Sequence, residues 1–146
     1  MKRAIGLCVC VTLVLIPVVV SARTTERMLA ANKAAESELG RKKLNRIGFY
    51  MRGQQHRPVK HEVGQFSVTG RTPAVLRTDA QACEVAFLSA LASLQAHALE
   101  QGGNAIVRID SVTRGKETTS TSDYRCLVGA TIAHVGLRGD IVVLDQ

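Results

Sequence analysis

The chain has 146 residues, a length that suits one domain better than two. Hydrophobic residues make up 46% and charged residues 21%, a composition that excludes a disordered chain. The formal net charge is +7, tryptophan is absent and aromatic residues reach only 3%, which argues against stacking platforms for single-stranded nucleic acid or sugars.

Residues 1–22 have the three-part pattern of a secretory signal peptide. Lys2 and Arg3 form a positive start, and an apolar run extends from residue 4 to residue 20, with a proline near its end. The run closes on Val-Ser-Ala, which supplies small or aliphatic side chains where a signal peptidase reads. We expect cleavage after Ala22 and a periplasmic or secreted protein, with an uncleaved membrane anchor as the alternative.

Removal of this segment would take away two of the four cysteines and two of the 19 basic residues. The pair that remains, Cys83 and Cys126, is expected to form one disulfide in an oxidising compartment. Two separate buried thiols are the alternative. Zinc is disfavoured because two cysteines so far apart do not have the spacing of a metal site.

The first elements after the signal peptide are short. Residues 23–45 are polar and rich in Ala, Lys, Arg and Glu, which predicts a short helical leader. Within residues 46–53, Ile47, Phe49 and Met51 alternate with Gly48 and Tyr50, as in a strand. A polar loop follows, and residues 62–70 predict a second short strand.

The strongest helix signal begins at Thr78 or Asp79, either of which can cap a helix, and ends at the Gly102-Gly103 pair. Apolar side chains recur along it at spacings of three and four. The main stripe consists of Cys83, Phe87, Leu91, Leu94 and Ala98.

Strands dominate the rest of the chain. Residues 104–114 alternate as a strand whose Arg108 and Asp110 face is predicted to be solvated. Residues 115–123 predict a polar hairpin tip. Two more strands are predicted, at 124–135 and at Ile141–Leu144, separated by an Arg138-Gly139-Asp140 turn.

Together these elements predict an α+β fold for residues 46–146. One main helix packs on an antiparallel sheet of about four strands. Cys83 lies on the apolar stripe of the helix and Cys126 at the start of a strand, so one disulfide would staple the helix to the sheet.

Three stretches, 82–91, 102–107 and 126–144, together resemble a family of small exported bacterial proteins catalogued as "excinuclease ATPase subunit". The helix that ends in Gly-Asn-Ala and runs into a strand is also similar to the periplasmic domain of the Rcs envelope-stress lipoprotein. It is similar as well to a family of small oligomeric proteins labelled heavy-metal-binding. The resemblance implies an exported, disulfide-stapled domain over about residues 46–145, with a role in envelope homeostasis or stress sensing.

The excinuclease label implies nucleotide hydrolysis, which needs a phosphate loop of the form G-x-x-x-x-G-K-[ST]. Gly115-Lys116 is followed by Glu117, and Asp110 stands where the first glycine belongs. We therefore expect no nucleotide. The expected compartment and the low aromatic content also disfavour nucleic acid, and no cofactor is expected. The Rcs lipoprotein carries an acylated N-terminal cysteine and a second disulfide, and the sequence after residue 22 has neither.

The clearest charge asymmetry lies between residues 41 and 60, which we call the basic segment. It has no Asp or Glu, and a solvated basic face is the simplest interpretation. Such a surface also suits an envelope protein or an anionic envelope component such as lipid headgroups. Its basic residues are Arg41, Lys42, Lys43, Arg46, Arg52, Arg57 and Lys60.

The sequence contains candidates for two other kinds of site. His56 and His61 lie five apart in one loop and offer weak ligands for a transition metal, so a small metal-binding or oligomeric module is the alternative function. No Ser-His-Asp set or paired carboxylates stand out, and an enzyme is not expected. The sequence therefore predicts a non-catalytic exported domain that binds an envelope component, in an unknown oligomeric state.

Overall fold

The structure, a computed structural model, describes residue 22 and residues 24–146. The predicted signal peptide lies outside these residues except for Ala22. The described chain runs β1 Thr25–Ala30, α1 Ala31–Glu36, α2 Glu38–Lys43, β2 Gly48–Met51, β3 Val59–Pro73, α3 Asp79–Glu100, β4 Ala105–Thr113, β5 Lys116–Thr118, β6 Asp123–Val128 and β7 Ile132–Leu144.

Strand β7 lies at the centre of a curled sheet. One of its edges pairs with β3 along the whole length of β7, from Ile132 to Leu144. Its other edge is shared by β4 and β6, which carry β2 and β1 in turn, and β5 extends β4 as a hairpin. Because β3 and β4 are both antiparallel to β7, they are parallel to each other, and α3 connects them as a crossover helix.

The predicted fold class is therefore confirmed in its mixed composition, its single main helix and its disulfide. The sheet, however, is larger than four strands, and it is mixed rather than antiparallel, since β2 also pairs in parallel with β4. The sequence pattern misled here because strand direction depends on long-range pairing, which local alternation does not report.

Helix α3 has clear start and stop signals. The Thr78 side chain accepts a hydrogen bond from the Gln81 N–H, and the Gln81 side chain accepts one from the Thr78 N–H, which forms a capping box. Gly102 follows the helix with a φ of +77°, a conformation that glycine adopts without steric cost. By length and hydropathy α3 would also suit a membrane span, but most of its apolar side chains are buried in the core of the domain.

The helix lies very close to the sheet. A Cβ atom added at Gly70 of β3 would collide with the carbonyl oxygen of Ala86 in α3. Around this contact the helix carries small residues, including Ala86 and Ala90, both fully buried. Small residues on both sides therefore allow the two backbones to approach.

The predicted disulfide is confirmed. Cys83 in the second turn of α3 and Cys126 in β6 are bonded, with their Cα atoms 5.8 Å apart and both side chains fully buried. Beside it the rings of Phe87 and Tyr124 stack with their centroids 4.0 Å apart. The bond ties the helix to the strand that β1 also joins.

The leader 23–45 does not form a single short helix. It begins with β1, which pairs antiparallel with β6 from Thr25–Val128 to Ala30–Asp123, and only then enters α1 and α2. Most β1 side chains are exposed, so the strand gains its place from backbone pairing rather than from an apolar face. An edge strand of this kind leaves little hydrophobic pattern to read.

The C-terminal strands also differ from the prediction. The expected strand 124–135 is two strands, β6 and β7, separated by a turn at 129–131, and the expected turn at 138–140 lies inside β7. Arg138 and Asp140 resemble turn residues in sequence, but both form ion pairs across the sheet. The predicted polar hairpin tip likewise includes β5.

A bulge in β4 overturns the expectation of a solvated Arg108–Asp110 face. Arg108 has a φ of +52°, and β4 gains one residue on β7 between the Val107–Asp140 and Asp110–Arg138 pairs. The extra residue breaks the alternation, so Ile106 and Ile109 both join the core against α3. Asp110 has no exposed surface.

The disulfide should contribute strongly to stability. In the chain-entropy model, closing a loop of 43 residues stabilises the folded state by about 4 kcal/mol. We expect the double variant Cys83→Ala/Cys126→Ala to lose about that much unfolding free energy in a urea titration. An unchanged midpoint and slope would contradict a stabilising role for the bond.

The close approach at Gly70 gives a second prediction. Gly70→Ala should lower the unfolding free energy by about 2 kcal/mol, because the methyl group forces α3 away from β3. Gly64→Ala on the same strand is the control, since its Cβ would meet only the Phe66 ring edge at 3.4 Å. Equal destabilisation of the two variants by urea would show that α3 does not press on β3 at Gly70.

Candidate anion-binding surface

The basic segment spans several elements rather than one. Its cations lie at five places in the chain: the last turn of α2, the loop 44–47, the beginning of the loop 52–58, the end of that loop, and the start of β3. In that order they are Arg41, Lys42 and Lys43, then Arg46, then Arg52, then Arg57, then Lys60.

Local capping positions the first three cations. The Ser37 hydroxyl accepts a hydrogen bond from the Gly40 N–H at 3.0 Å and caps α2. Gly40 is buried against α1, where an added Cβ would collide with the carbonyl oxygens of Ala34 and Ala35. The tight α1–α2 corner therefore fixes the direction in which α2 presents its basic last turn.

A buried glutamine fixes the loop that carries Arg46. The side chain of Gln95 in α3 is 1% exposed. Its Oε1 accepts from the Asn45 N–H at 2.8 Å, and its Nε2 donates to the carbonyls of Asn45 and Ile47 at 3.1 and 2.9 Å. One side chain thus satisfies three backbone groups of the loop, which is held against α3.

A cavity of about 410 Å³ lies between the α1–α2 corner, this loop and β2. We call it the Arg41 cavity. Arg41 and Arg46 line it together with aromatic, amide and small side chains and one acid, Glu36. Its other lining residues are Asn32, Ala35, Gly40, Leu44, Asn45, Ile47, Gly48, Phe49, Tyr50 and Gln95.

Most cations of the basic segment have no acidic partner in the described chain. Lys42 is the exception on α2, since its Nζ lies 2.6 Å from Glu38 one turn earlier. Lys43 reaches only the Ser89 hydroxyl, at 3.5 Å. No carboxylate of the described residues lies within 4.0 Å of Arg41, Lys43, Arg46, Arg57 or Lys60.

Arg52 has a different role from the rest of the segment. Its Nε donates to both carboxylate oxygens of Asp110, at 2.9 and 2.8 Å, and Asp110 is fully buried. Thr119 donates a further bond to Asp110, and Arg138 lies 3.8 Å away. Hydrogen bonds to Asp110 raise the pKa of Arg52, so this partly exposed guanidinium is committed to a buried carboxylate.

A second ionic group lies beside it on the sheet. Arg108, on the β4 bulge, bonds Asp140 of β7 and Glu62 of β3, both at 2.6 Å, and these bonds raise the pKa of Arg108. Gln65 donates to Asp140 as well. Sequence reasoning missed both groups because the partners are 32 to 58 residues apart and the bulge hides the shared face.

The predicted histidine ligands do not form a metal site in the described chain. His56 packs its ring against Tyr50 and its Nδ1 lies 2.8 Å from the Arg57 carbonyl oxygen. His61 is exposed on β3, opposite Val143. Among residues 24–146, no three His, Cys, Asp or Glu side chains group in a way that could hold a metal ion.

Comparison of the chain with family models, with curated proteins and with solved structures gave no match. The argument for function therefore depends on the geometry of the described residues.

The two kinds of arginine can be separated by experiment. Arg52→Gln should lower the unfolding free energy by about 2–3 kcal/mol, because it leaves the buried Asp110 carboxylate short of its main partner. Arg41→Gln should stay within about 0.5 kcal/mol of the parent protein, since Arg41 is exposed. Urea unfolding of both variants measures this. If both substitutions change the unfolding free energy by the same small amount, Arg52 has no larger structural role than Arg41.

Proposed function

We propose that the protein is a non-catalytic, exported binding module whose basic segment contacts an anionic component of the cell envelope. The observation that carries this proposal is the pair Arg41 and Arg46. Both line one cavity, and neither has a carboxylate partner in the described chain.

A free guanidinium suits oxyanions because its planar fork of N–H donors matches phosphate and carboxylate geometry. Two such groups at one cavity, with Lys43, Arg57 and Lys60 elsewhere in the basic segment, create a positive field that concentrates anions near the surface. The α1–α2 corner and Gln95 fix the backbone beneath both arginines, so little ordering is needed when a ligand binds.

Binding fits this cavity better than acid–base catalysis does. Catalytic groups usually have shifted pKa values and lie in the cleft where they act. In the described chain the shifted groups are Glu26, Arg52, Arg108, Tyr124 and His134. Burial or ion pairing accounts for each of them, and none lines the Arg41 cavity.

Charge reversal tests the proposal. The double variant Arg41→Glu/Arg46→Glu should weaken co-sedimentation with phosphatidylglycerol-containing vesicles about tenfold or more at low salt, since each surface cation contributes about 1 kcal/mol. The double variant Lys33→Glu/Lys116→Glu changes the net charge equally but lies outside the basic segment, and it should retain most binding.

The outcomes separate three situations. If both double variants lose vesicle binding equally, binding depends only on net charge, which contradicts a defined binding surface. If the Arg41→Glu/Arg46→Glu variant co-sediments with vesicles as well as the parent protein does, the Arg41 cavity is not part of the contact surface. If vesicles fail to retain the parent protein but an acidic envelope protein does so through Arg41 and Arg46, the anionic component is a protein.

A further inference from the structure

A second cavity, of about 250 Å³, opens at the far end of the sheet. We call it the His134 cavity. Thr69 and Arg71 of β3 form one wall, His134 of β7 lies between the strands, and the end of β4 with Arg114 forms the other wall. It is separate from the Arg41 cavity, because Gly48 pairs with the first residue of β4, whereas Thr113 is the last.

The backbone builds this cavity through a change of partner along β7. Ser111 of β4 pairs with Leu137, but His134, three residues earlier on β7, pairs with Leu127 of β6. At the crossover an added Cβ at Gly136 would collide with the Val112 carbonyl oxygen, so the end of β4 lies over β7 there. The resulting step leaves a concave space above His134.

Positive and hydrogen-bonding groups converge on that space. Arg71 is the cross-strand neighbour of His134, and the Arg114 Nη2 lies 3.5 Å from the His134 Nε2. No carboxylate of the described chain lies within 4.0 Å of either arginine. Two guanidinium groups and an imidazole therefore face one cavity without a counter-charge.

Arg114 is held in place at a steric cost. It has a φ of +53° and precedes Gly115 at +74°, in the two-residue turn between Thr113 and Lys116. This is a type I′ turn, whose first central position favours Asn, Asp or Gly over a long side chain. An arginine there is disfavoured locally, and such strain concentrates at functional positions.

The electrostatic environment of His134 favours a bound anion. Burial lowers its pKa below the ordinary value, and the positive charges of Arg114 and Arg71 lower it further. Those two arginines are the charged groups that face it from β3 and from the β4–β5 turn, and its cross-strand neighbour on β6 is the apolar Leu127. An anion bound among the three would offset this repulsion.

We propose that Arg71, Arg114 and His134 form a binding site for a phosphate-class oxyanion. The site goes beyond the proposed function of the basic segment, since it uses different residues at the other end of β4. Two sources share this chemistry, a soluble phosphate and the phosphate of a lipid headgroup.

An apolar loop beside the cavity makes the lipid source physically reasonable. Leu76 is fully exposed, and about half of the surface of Val75 and of Ile132 is exposed as well. Pro73 pairs with Ile132, and the Ala74 N–H donates to the Thr131 carbonyl at 2.8 Å, so these side chains belong to the same end of the domain. Apolar side chains next to cations are typical of surfaces that meet anionic bilayers.

The first test is a pH titration of His134 by NMR, with and without inorganic phosphate at constant ionic strength. Phosphate should raise the pKa of His134, because an anion bound beside the imidazole favours its charged form. His134→Asn assigns the resonance.

Two variants then test the ligands. Arg71→Gln and Arg114→Asn should each weaken phosphate binding about fivefold or more. Asparagine is favoured in the turn, so Arg114→Asn should bind less while remaining at least as stable as the parent in urea. Arg41→Gln is the matched control, expected to leave the phosphate effect intact even if it abolishes vesicle binding at the Arg41 cavity.

The second test identifies the source of the phosphate, using phosphatidylglycerol vesicles. Retention that Arg114→Asn and Leu76→Ser both reduce assigns a lipid headgroup, whereas retention that neither changes assigns a soluble phosphate. The proposal is overturned if phosphate leaves the pKa of His134 unchanged, or if Arg41→Gln reduces the phosphate effect as much as Arg114→Asn does.

Discussion

Helix α3 lies almost directly on the backbone of the sheet, and the other elements take their places from that contact. Gly70 lets β3 meet α3 without intervening side chains, and the Cys83–Cys126 bond holds the helix to β6. The side chain of Gln95 in α3 also holds the loop at 45–47 through hydrogen bonds to its backbone. The packing of one helix therefore determines both the core and the position of the Arg41 cavity.

The charges of the molecule are sorted by this arrangement. Arg52 and Arg108 are bound to Asp110 and Asp140 across the strands, where partly buried ion pairs satisfy each other. Arg41 and Arg46 lie outside these networks and line a cavity. The net positive charge is thus partly structural and partly available to a ligand, a distinction that the sequence alone does not make.

Local signals predicted the parts of the fold that local interactions determine. Thr78 and Gly102 mark the start and the end of α3. The presence of only two cysteines after residue 22 predicted the disulfide between them. Prediction failed where pairing is long-range: β1 has an exposed face with little apolar pattern, and the Arg108 bulge reverses the alternation that had placed Asp110 in solvent.

The candidate site followed the same division. The basic segment was visible in sequence because seven cations occur there without an acid. The pairing of Arg52 with a buried carboxylate was not visible, since Asp110 lies 58 residues away in the sequence. The cluster of Arg71, Arg114 and His134 was also missed, because it exists only where β7 exchanges β4 for β6.

Retention of the purified protein on phosphatidylglycerol and phosphatidylcholine vesicles, measured as salt concentration rises, tests the proposed role most directly. Exposed arginines acting on an anionic surface predict retention on phosphatidylglycerol alone. That retention should weaken as the screening length falls from about 30 Å at 0.01 M to about 8 Å at 0.15 M salt. Equal retention on the two lipids, or retention that salt does not change, would contradict an anion-binding module.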